Sequence, residues 1–568
     1  MEHPLATDPA SLVMSYPDIF TSGTEDLQDL INFPDAEIFW SLHERHHVCR
    51  SGCSGVIVYN ILRFGWSPTF IDTPDVHRGG VYNNNNSEKS IQKELDSLLL
   101  DGKISKVRLG SLRCVLPIKI VLKADHIEHA SLLLHLSPAV VERMGADVIN
   151  DRLMALGHDP IKTRLVTDFR VGCFNDTLDD YPFAYSTIHS AVGLSYEKMH
   201  PVYSKIDFKQ YFLQIPLAEK CRDLFGFVVR DQAYMFNALP FGVKSAPIVA
   251  SLVSAELVQL AANLFGITAI SYIDDILIVS EGWKNAHADK ENFLKMLEQL
   301  RFQVNFDKVY GPSESMEYLG YVLNASSTPI TISFNSDKFR VAKRKTFEAL
   351  QLRKLSYSAL ASLAGTLLYM SEIISLGWSH SLGLWSAGKG LSDKRRAFKI
   401  HLDDCQITYL EWWLKKLTFK ERDALPVVHT QPTPAVQDLV RATKIFSDAS
   451  LTKGFGFFSE DESIVESHEW PAELLTVLDM LTKELFPFVV FMEQYGELFA
   501  NNIIIWCTDN AAAAMTLNGG AARNAEPNEL IMRILNVSER WNITVLTIWI
   551  PRHLNIFADY LSKASNMF

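Results

Sequence analysis

Residues 271–280 read SYIDDILIVS and set two adjacent carboxylates, Asp274 and Asp275, between apolar β-formers. The pattern predicts strand, tight turn, strand, with the acids at the turn. Neighbouring like charges repel, and apolar flanks imply partial burial, which makes both charges costlier. Turns favour Asp, so the pair alone has an ordinary reading as a solvated turn. Its neighbours along the chain decide between the two readings.

Upstream, YSKIDFKQYFLQIPL places Asp207 at the end of an apolar strand. If that strand lies beside the hairpin, three carboxylates converge. Such a cluster needs counter-ions, and Mg²⁺, which prefers oxygen ligands and keeps waters or substrate phosphates, suits a site with few carboxylates. Between the two acidic elements, LPFGVKSAP (239–247) turns and opens a helix, and Gly242 allows close backbone approach. The segment from Pro247 is apolar, but it holds Glu256, Gln259 and Asn263 and runs straight into the acid pair. A buried helix is therefore expected rather than a membrane span.

The chain has 568 residues, too many for one core, so three or four domains are expected. Seven scattered cysteines suggest no disulfide scaffold, which points to a reducing, intracellular setting. The first residues, MEHPLATDPASLVMSYPD, lack the features of a secretory signal. Net charge is −12, an argument against nucleic acid as partner, yet charge is uneven. Residues 336–425 hold 16 Lys/Arg against 9 Asp/Glu, while residues 441–568 hold 9 against 16. A basic middle beside an acidic end fits phosphate binding in one place and metal binding in another, or simply solvated helix faces. In HERHHVCRSGC, His43, His46, His47, Cys49 and Cys53 are candidate zinc ligands, though the spacing matches no standard finger.

The order of TRLVTDFRVGCFN, KIDFKQYFLQIPL, LPFGVKSAP, YIDD, NFDK and EYLGYVL, the last read as a single strand, resembles the palm of reverse transcriptases. The likeness covers about residues 98–370. It implies an α+β right-hand polymerase with fingers, palm and thumb, and an RNA- and DNA-directed DNA polymerase activity. By that resemblance Asp207, Asp274 and Asp275 hold two Mg²⁺ or Mn²⁺, with the backbone carbonyl of Phe208 as a further ligand. Phe212 falls at the position whose ring excludes a ribose 2′-OH. Arg164 matches the fingers arginine that contacts the incoming triphosphate, a task suited to its bidentate fork. Lys123 and Lys162 compete for the fingers lysine. Phe241 and Gly242 line the nucleotide, Gly242 approaching base or ribose. Lys308 is placed to protonate pyrophosphate or is a surface lysine, and Tyr272 and Ile273 lie under the primer end. The helix in YSALASLAGTLLYMSEII resembles a thumb helix tracking the minor groove, where Ala361, Ala364 and Gly365 permit close approach; a helix packing face reads equally well.

A second set of acids follows. Asp448 ends a strand in IFSDAS, Glu484 sits on the helix LTKELFPFVVFMEQYG, Asp509 ends the apolar strand IIIWCTD, and Asp559 lies in the first turn of a helix in HLNIFADYLSK. Separately they are unremarkable in an acidic segment. Together they resemble the ribonuclease H-like α/β domain of retroelements, which implies two further metal ions and cleavage of RNA in an RNA-DNA hybrid, with His553 assisting proton transfer or product release. DASLTKGFG, TDNAAAAMTLNGG and HLNIFADYLSK look most like DIRS-type elements, and next like Ty3/gypsy.

The expected organisation is an N-terminal region of unassigned role (1–85), fingers and palm with an insert at about 124–160 (86–325), a basic helical thumb and connection (326–425), a linker (426–440) and the ribonuclease H-like domain (441–568). Expected partners are RNA template, DNA primer, RNA-DNA hybrid and deoxynucleoside triphosphates, in the cytoplasm or nucleus and without a membrane. The alternative is a catalytically silent, domesticated nucleic-acid-binding relic. No protease, integrase, recombinase or zinc knuckle is readable, so the chain is one piece of a longer element or those activities lie in other frames.

Overall fold

The computed structural model describes residues 33–44, 54–71, 87–122, 124–136, 138–161, 163–179, 185–374, 376–386, 399–418, 427–429, 442–475, 478–522 and 524–564. The chain divides into two compact units, 4–316 and 317–568.

The first unit is built on a four-stranded antiparallel sheet in the order Ala269–Tyr272, Asp275–Glu281, Pro201–Asp207, Tyr310–Ser313. The two central strands are buried along most of their length, the second through its apolar run Ile276–Val279. Helix Ala246–Phe265 packs against this region. It begins with Pro247 in its first turn and ends on Gly266 in the left-handed conformation, φ +70. It is long and apolar enough to cross a membrane, but 61% of its apolar window is buried inside the protein. Val249, Leu252, Val253 and Leu257 join Ile206, Ile276 and Phe293 in one core.

Strands Ile118–Leu122 and Thr163–Thr167 pair antiparallel although about forty residues separate them. Helices Ala124–Leu133, Pro138–Met144 and Ala146–Ala155 fill the interval around a small core of Ala130, Val141, Ile149, Leu153 and Ile161. Asp147 fastens this insert: its carboxylate accepts from the backbone N–H of Lys89 and Ser90, at 2.8 and 2.9 Å. A carboxylate at the N-terminus of helix Glu88–Leu100 is favoured by the exposed N–H groups and by the helix dipole.

The second unit opens with a sheet ordered Ser315–Tyr318, Tyr321–Asn324, Thr331–Phe334, Val427–His429. EYLGYVL is therefore not one strand. It turns at Leu319 and Gly320, both at positive φ (+51 and +82), the geometry of a tight hairpin. The segment expected as a linker contributes Val427–His429 to this sheet, paired with Thr331–Phe334. Helices Ser336–Leu352, Tyr357–Met370, Gly377–Ser386 and Asp404–Thr418 follow.

The last part of this unit is a five-stranded sheet ordered Val465–Glu469, Gly454–Ser459, Thr443–Ala449, Ile503–Thr508, Thr544–Trp549. The first three strands are antiparallel, and the last two run parallel to Thr443–Ala449. Helix Met480–Tyr495 covers one face. Phe488 stacks on Trp506 with ring centroids 4.8 Å apart, and the Trp506 indole N–H donates to Ser447 Oγ at 2.7 Å. Burying that ring therefore leaves no polar group unpaired.

Candidate active sites

The first site forms because antiparallel register sets Asp207 directly opposite Asp275. Ile273 and Asp274 make the two-residue turn. Ile273 sits at φ +55, a conformation that a β-branched side chain avoids. That strain of about 1–3 kcal/mol holds Asp274 at the tip of the hairpin, beside the other two acids. The Phe208 N–H donates to the Asp274 carbonyl at 3.3 Å and ties the turn to the Asp207 strand.

The cluster is crowded, with Asp207 buried and Asp274 and Asp275 half-buried. Burial, reinforced by the charges of Asp275 and Asp207, pushes the Asp274 carboxyl up to about 6. Burial also raises Asp275, but less freely, because the Lys205 ammonium stands 3.2 Å away. Asp207 accepts from Asn305 Nδ2 at 3.1 Å and from Lys308 Nζ at 2.9 Å. Lys308 loses some basicity to burial, yet its bond to Asp207 and the three acidic charges outweigh that and raise it.

Asp207 and Asp274 line a cavity of about 780 Å³ together with Phe208, Arg164, Phe212, Phe241 and Lys308. The exposed Arg164 lies over the Phe241 ring, its guanidinium carbon 4.7 Å from the centroid, and Phe241 meets Phe212 edge to face at 5.2 Å. Arg164 stands opposite Val121 in the strand pair that flanks the long insert. Lys123 and Lys162 lie outside the described residues. Gly242 has φ +104, and a Cβ there would meet Thr167 O at 2.8 Å. It permits a close approach to the chain's own strand Thr163–Thr167. Tyr272 pairs with Asp275 at the root of the hairpin.

In the second unit, ligand atoms of Asp448, Glu484 and Asp509 lie within 4.8 Å of one another. Asp448 is near the end of the central strand, Asp509 just past its parallel neighbour, and Glu484 on the covering helix. Burial, then the charges of Asp448 and Asp509, pushes Glu484 up to about 8. Among the described residues its Oε2 is buried with no hydrogen-bond partner, an orphan that a cation would satisfy. Burial raises Asp448 too, against the lowering effect of Ser562 Oγ, which donates at 2.6 Å. Asp559 stands beside this trio rather than within it. Lys563 Nζ lies 2.5 Å and Arg552 Nη2 3.1 Å from its carboxylate. Lys563 first, then Arg552, holds Asp559 below the usual carboxylate range despite some desolvation. His553 is exposed on the short turn Arg552–Leu554 and lines a depression with Arg552, Ile556 and Asp559.

Sequence reasoning missed Lys205, Asn305, Arg552, Lys563 and Ser562. Lys205 carried a usable signal: two residues before Asp207 on a strand, it must share that residue's face. Elsewhere, His43 is buried, stacks on Phe39 and packs where Gly55 leaves room. His46, His47, Cys49 and Cys53 lie outside the described residues. On helix Tyr357–Met370, Ala364 is buried in packing, Ala361 is half-buried, and a Cβ on Gly365 would meet nothing within 4 Å.

Residues 161–323 match the family described as reverse transcriptase (RNA-dependent DNA polymerase). The retrovirus-related Pol polyprotein from transposon gypsy of Drosophila melanogaster is 30% identical over 190 residues, 33% of this chain and 17% of that polyprotein. The corresponding polyprotein from transposon opus of the same fly is 27% identical over 164 residues, 28% of this chain and 16% of its own length. The Gag-Pol polyprotein of Rous sarcoma virus subgroup C (strain Prague) is 30% identical over 129 residues, 21% of this chain and 8% of its own. The chain thus spans less than a fifth of these relatives. Among solved structures, the foamy viral protease-reverse transcriptase in complex with dsDNA is 15% identical, covers 93% of this chain and 98% of that one, and has a TM-score of 0.45. Residues 161–323 therefore carry a reverse transcriptase domain of the kind found in retroelement Pol polyproteins.

Proposed function

We propose that the chain is an RNA- and DNA-directed DNA polymerase of a retrotransposon, with a second site at its C-terminal end that cleaves RNA in an RNA-DNA hybrid. The observation that carries the first activity is the single cavity shared by Asp207, Asp274, Arg164, Phe212 and Lys308. The second rests on the three converging acids and the orphaned Glu484 oxygen. Divalent cations, Mg²⁺ or Mn²⁺ and two per site, would be held by Asp207, Asp274 and Asp275 and by Asp448, Glu484, Asp509 and Asp559; they would acidify the attacking oxygen and neutralise the leaving group.

The chain's own residues supply selection and orientation. Arg164 offers a planar fork to the triphosphate of an incoming deoxynucleotide, and Phe241 presents an aromatic face that steadies that fork. Phe212, braced edge to face by Phe241, fills the space that a 2′-OH needs. Lys308 neutralises Asp207 and keeps an ammonium at the cavity wall, where pyrophosphate charge develops. In the second site Ser562 and Arg552 orient the acids, and exposed His553 borders the depression beside them. The wording of the C-terminal motifs favours a DIRS-type lineage within the broader retroelement likeness, and a tyrosine recombinase in a neighbouring frame would establish it. The small number of cysteines supports copying in the cytoplasm or nucleus.

Primer extension on a homopolymeric RNA template tests the reading. Wild type should extend a DNA primer with deoxynucleotides and Mg²⁺, and Asp274→Asn combined with Asp275→Asn should not. Extension by neither would favour the silent relic.

A further inference from the structure

Three acids meet in the first site, and two lysines answer two of them. Lys308 takes Asp207 and Lys205 takes Asp275, while among the described residues no ion pair reaches Asp274. Lys205 is no surface lysine resting on a convenient acid. Only 17% of its side chain is exposed, against 49% for Lys308, so its ammonium is committed to a partner. Strand geometry explains the pairing. Lys205 and Asp207 share a face, Asp207 faces Asp275 in register, and Lys205 therefore reaches Asp275 along the diagonal.

We propose that Lys205 is a positioning residue that acts as a resident counter-ion, holding Asp275 away from the cation-binding pair Asp207 and Asp274. The ammonium and a divalent cation then compete for one carboxylate. The cluster stays tolerable when empty, and its affinity for the ion is set lower than three free acids would give. This inference rests on the reading of the cluster as a divalent-cation site.

The test is calorimetric titration of the full chain with Ca²⁺, together with thermal unfolding in chelator and in saturating Ca²⁺. The second cluster is silenced in every sample by Glu484→Gln and Asp509→Asn. Lys205→Met should bind Ca²⁺ about fivefold or more tightly than the parent, the low end of ordinary coupling between two ligands. It should melt lower than the parent in chelator, with the gap closing in Ca²⁺, and Lys205→Arg should restore the parental values. A merely structural lysine would lower both melting points alike and leave affinity unchanged, and that result overturns the proposal, as does weaker binding. If Lys205→Met fails to fold, Asp274→Asn and Asp275→Asn decide: affinity should fall much further in the first, and equal losses overturn the proposal. Absence of saturable Ca²⁺ binding in the parent would instead defeat the reading of the site.

Discussion

Replacing Glu484 by Gln should stabilise the metal-free protein at alkaline pH, although it removes an acid expected to hold a metal. Glu484 is 3% exposed and is pushed from an ordinary 4.5 up to about 8 by burial and by Asp448 and Asp509. Below pH 4.5 the carboxyl is protonated in both folded and unfolded chains, and its contribution to stability is fully present. As pH rises, the unfolded chain releases the proton first while the folded chain keeps it, so stability falls steadily until about pH 8. At ~1.36 kcal/mol per pH unit the whole loss is ~5 kcal/mol. Sharing of protons among three coupled acids brings the realised figure nearer ~3 kcal/mol. That corresponds to ~6–12 °C in the melting of a unit of this size. Glu484→Gln keeps the shape and removes the charge. In chelator it should melt higher than wild type at pH 9 and nearly level with it at pH 5. Mg²⁺ should raise wild type at pH 9 by several degrees more than it raises the variant, whose remaining response comes from the first cluster. Thermal unfolding followed by circular dichroism at both pH values, with and without Mg²⁺, reads all four conditions. A wild-type melting point independent of pH in chelator, or a variant that melts lower at pH 9, would refute the reasoning.

Three further outcomes follow from the first site. Phe212→Val should relax exclusion of ribonucleotides by on the order of 10–100-fold, read as the ratio of kcat/KM for dNTP and rNTP; an unchanged ratio removes Phe212 from sugar selection. Gly242→Ala should cost about 1–3 kcal/mol in denaturant unfolding, because its Cβ would stand 2.8 Å from Thr167 O at φ +104; an unchanged midpoint contradicts that packing. Asp274 must be ionised to hold a cation, so the Mg²⁺ concentration for half-maximal extension should rise as pH falls through about 6. A Mg²⁺ requirement flat from pH 5 to 8 would count against Asp274 as a ligand.

What the sequence revealed was set by period and order. The apolar β-formers around Asp207 and around Asp274 and Asp275 are enough to place strand ends and a hairpin, and the structure joins them in register. Three of the four C-terminal acids converge because each follows or sits on an element whose pattern is plain. What escaped was governed by rotamers and diagonals. Lys563, four residues after Asp559, was a legible partner by spacing, but nothing in the sequence says that Arg552 will claim the same carboxylate. EYLGYVL reads as one strand because Leu at a left-handed position is rare, so Gly320 alone gave little warning of a turn. Val427–His429 was hidden by the prolines that follow it, and its place in the sheet depends on a strand nearly a hundred residues upstream. The pairing across the insert was legible only as two strands, not as partners, since forty intervening residues carry no register information.

The central claim is that two separate acid clusters perform two separate reactions. Its most direct test is a single reaction in which labelled RNA, annealed to a DNA primer, is followed for primer extension and for RNA cleavage together. Asp274→Asn with Asp275→Asn should abolish extension and leave cleavage near the wild-type rate, and Asp448→Asn with Asp509→Asn should do the reverse. Loss of both activities in either well-folded double variant, or of neither, would contradict the account.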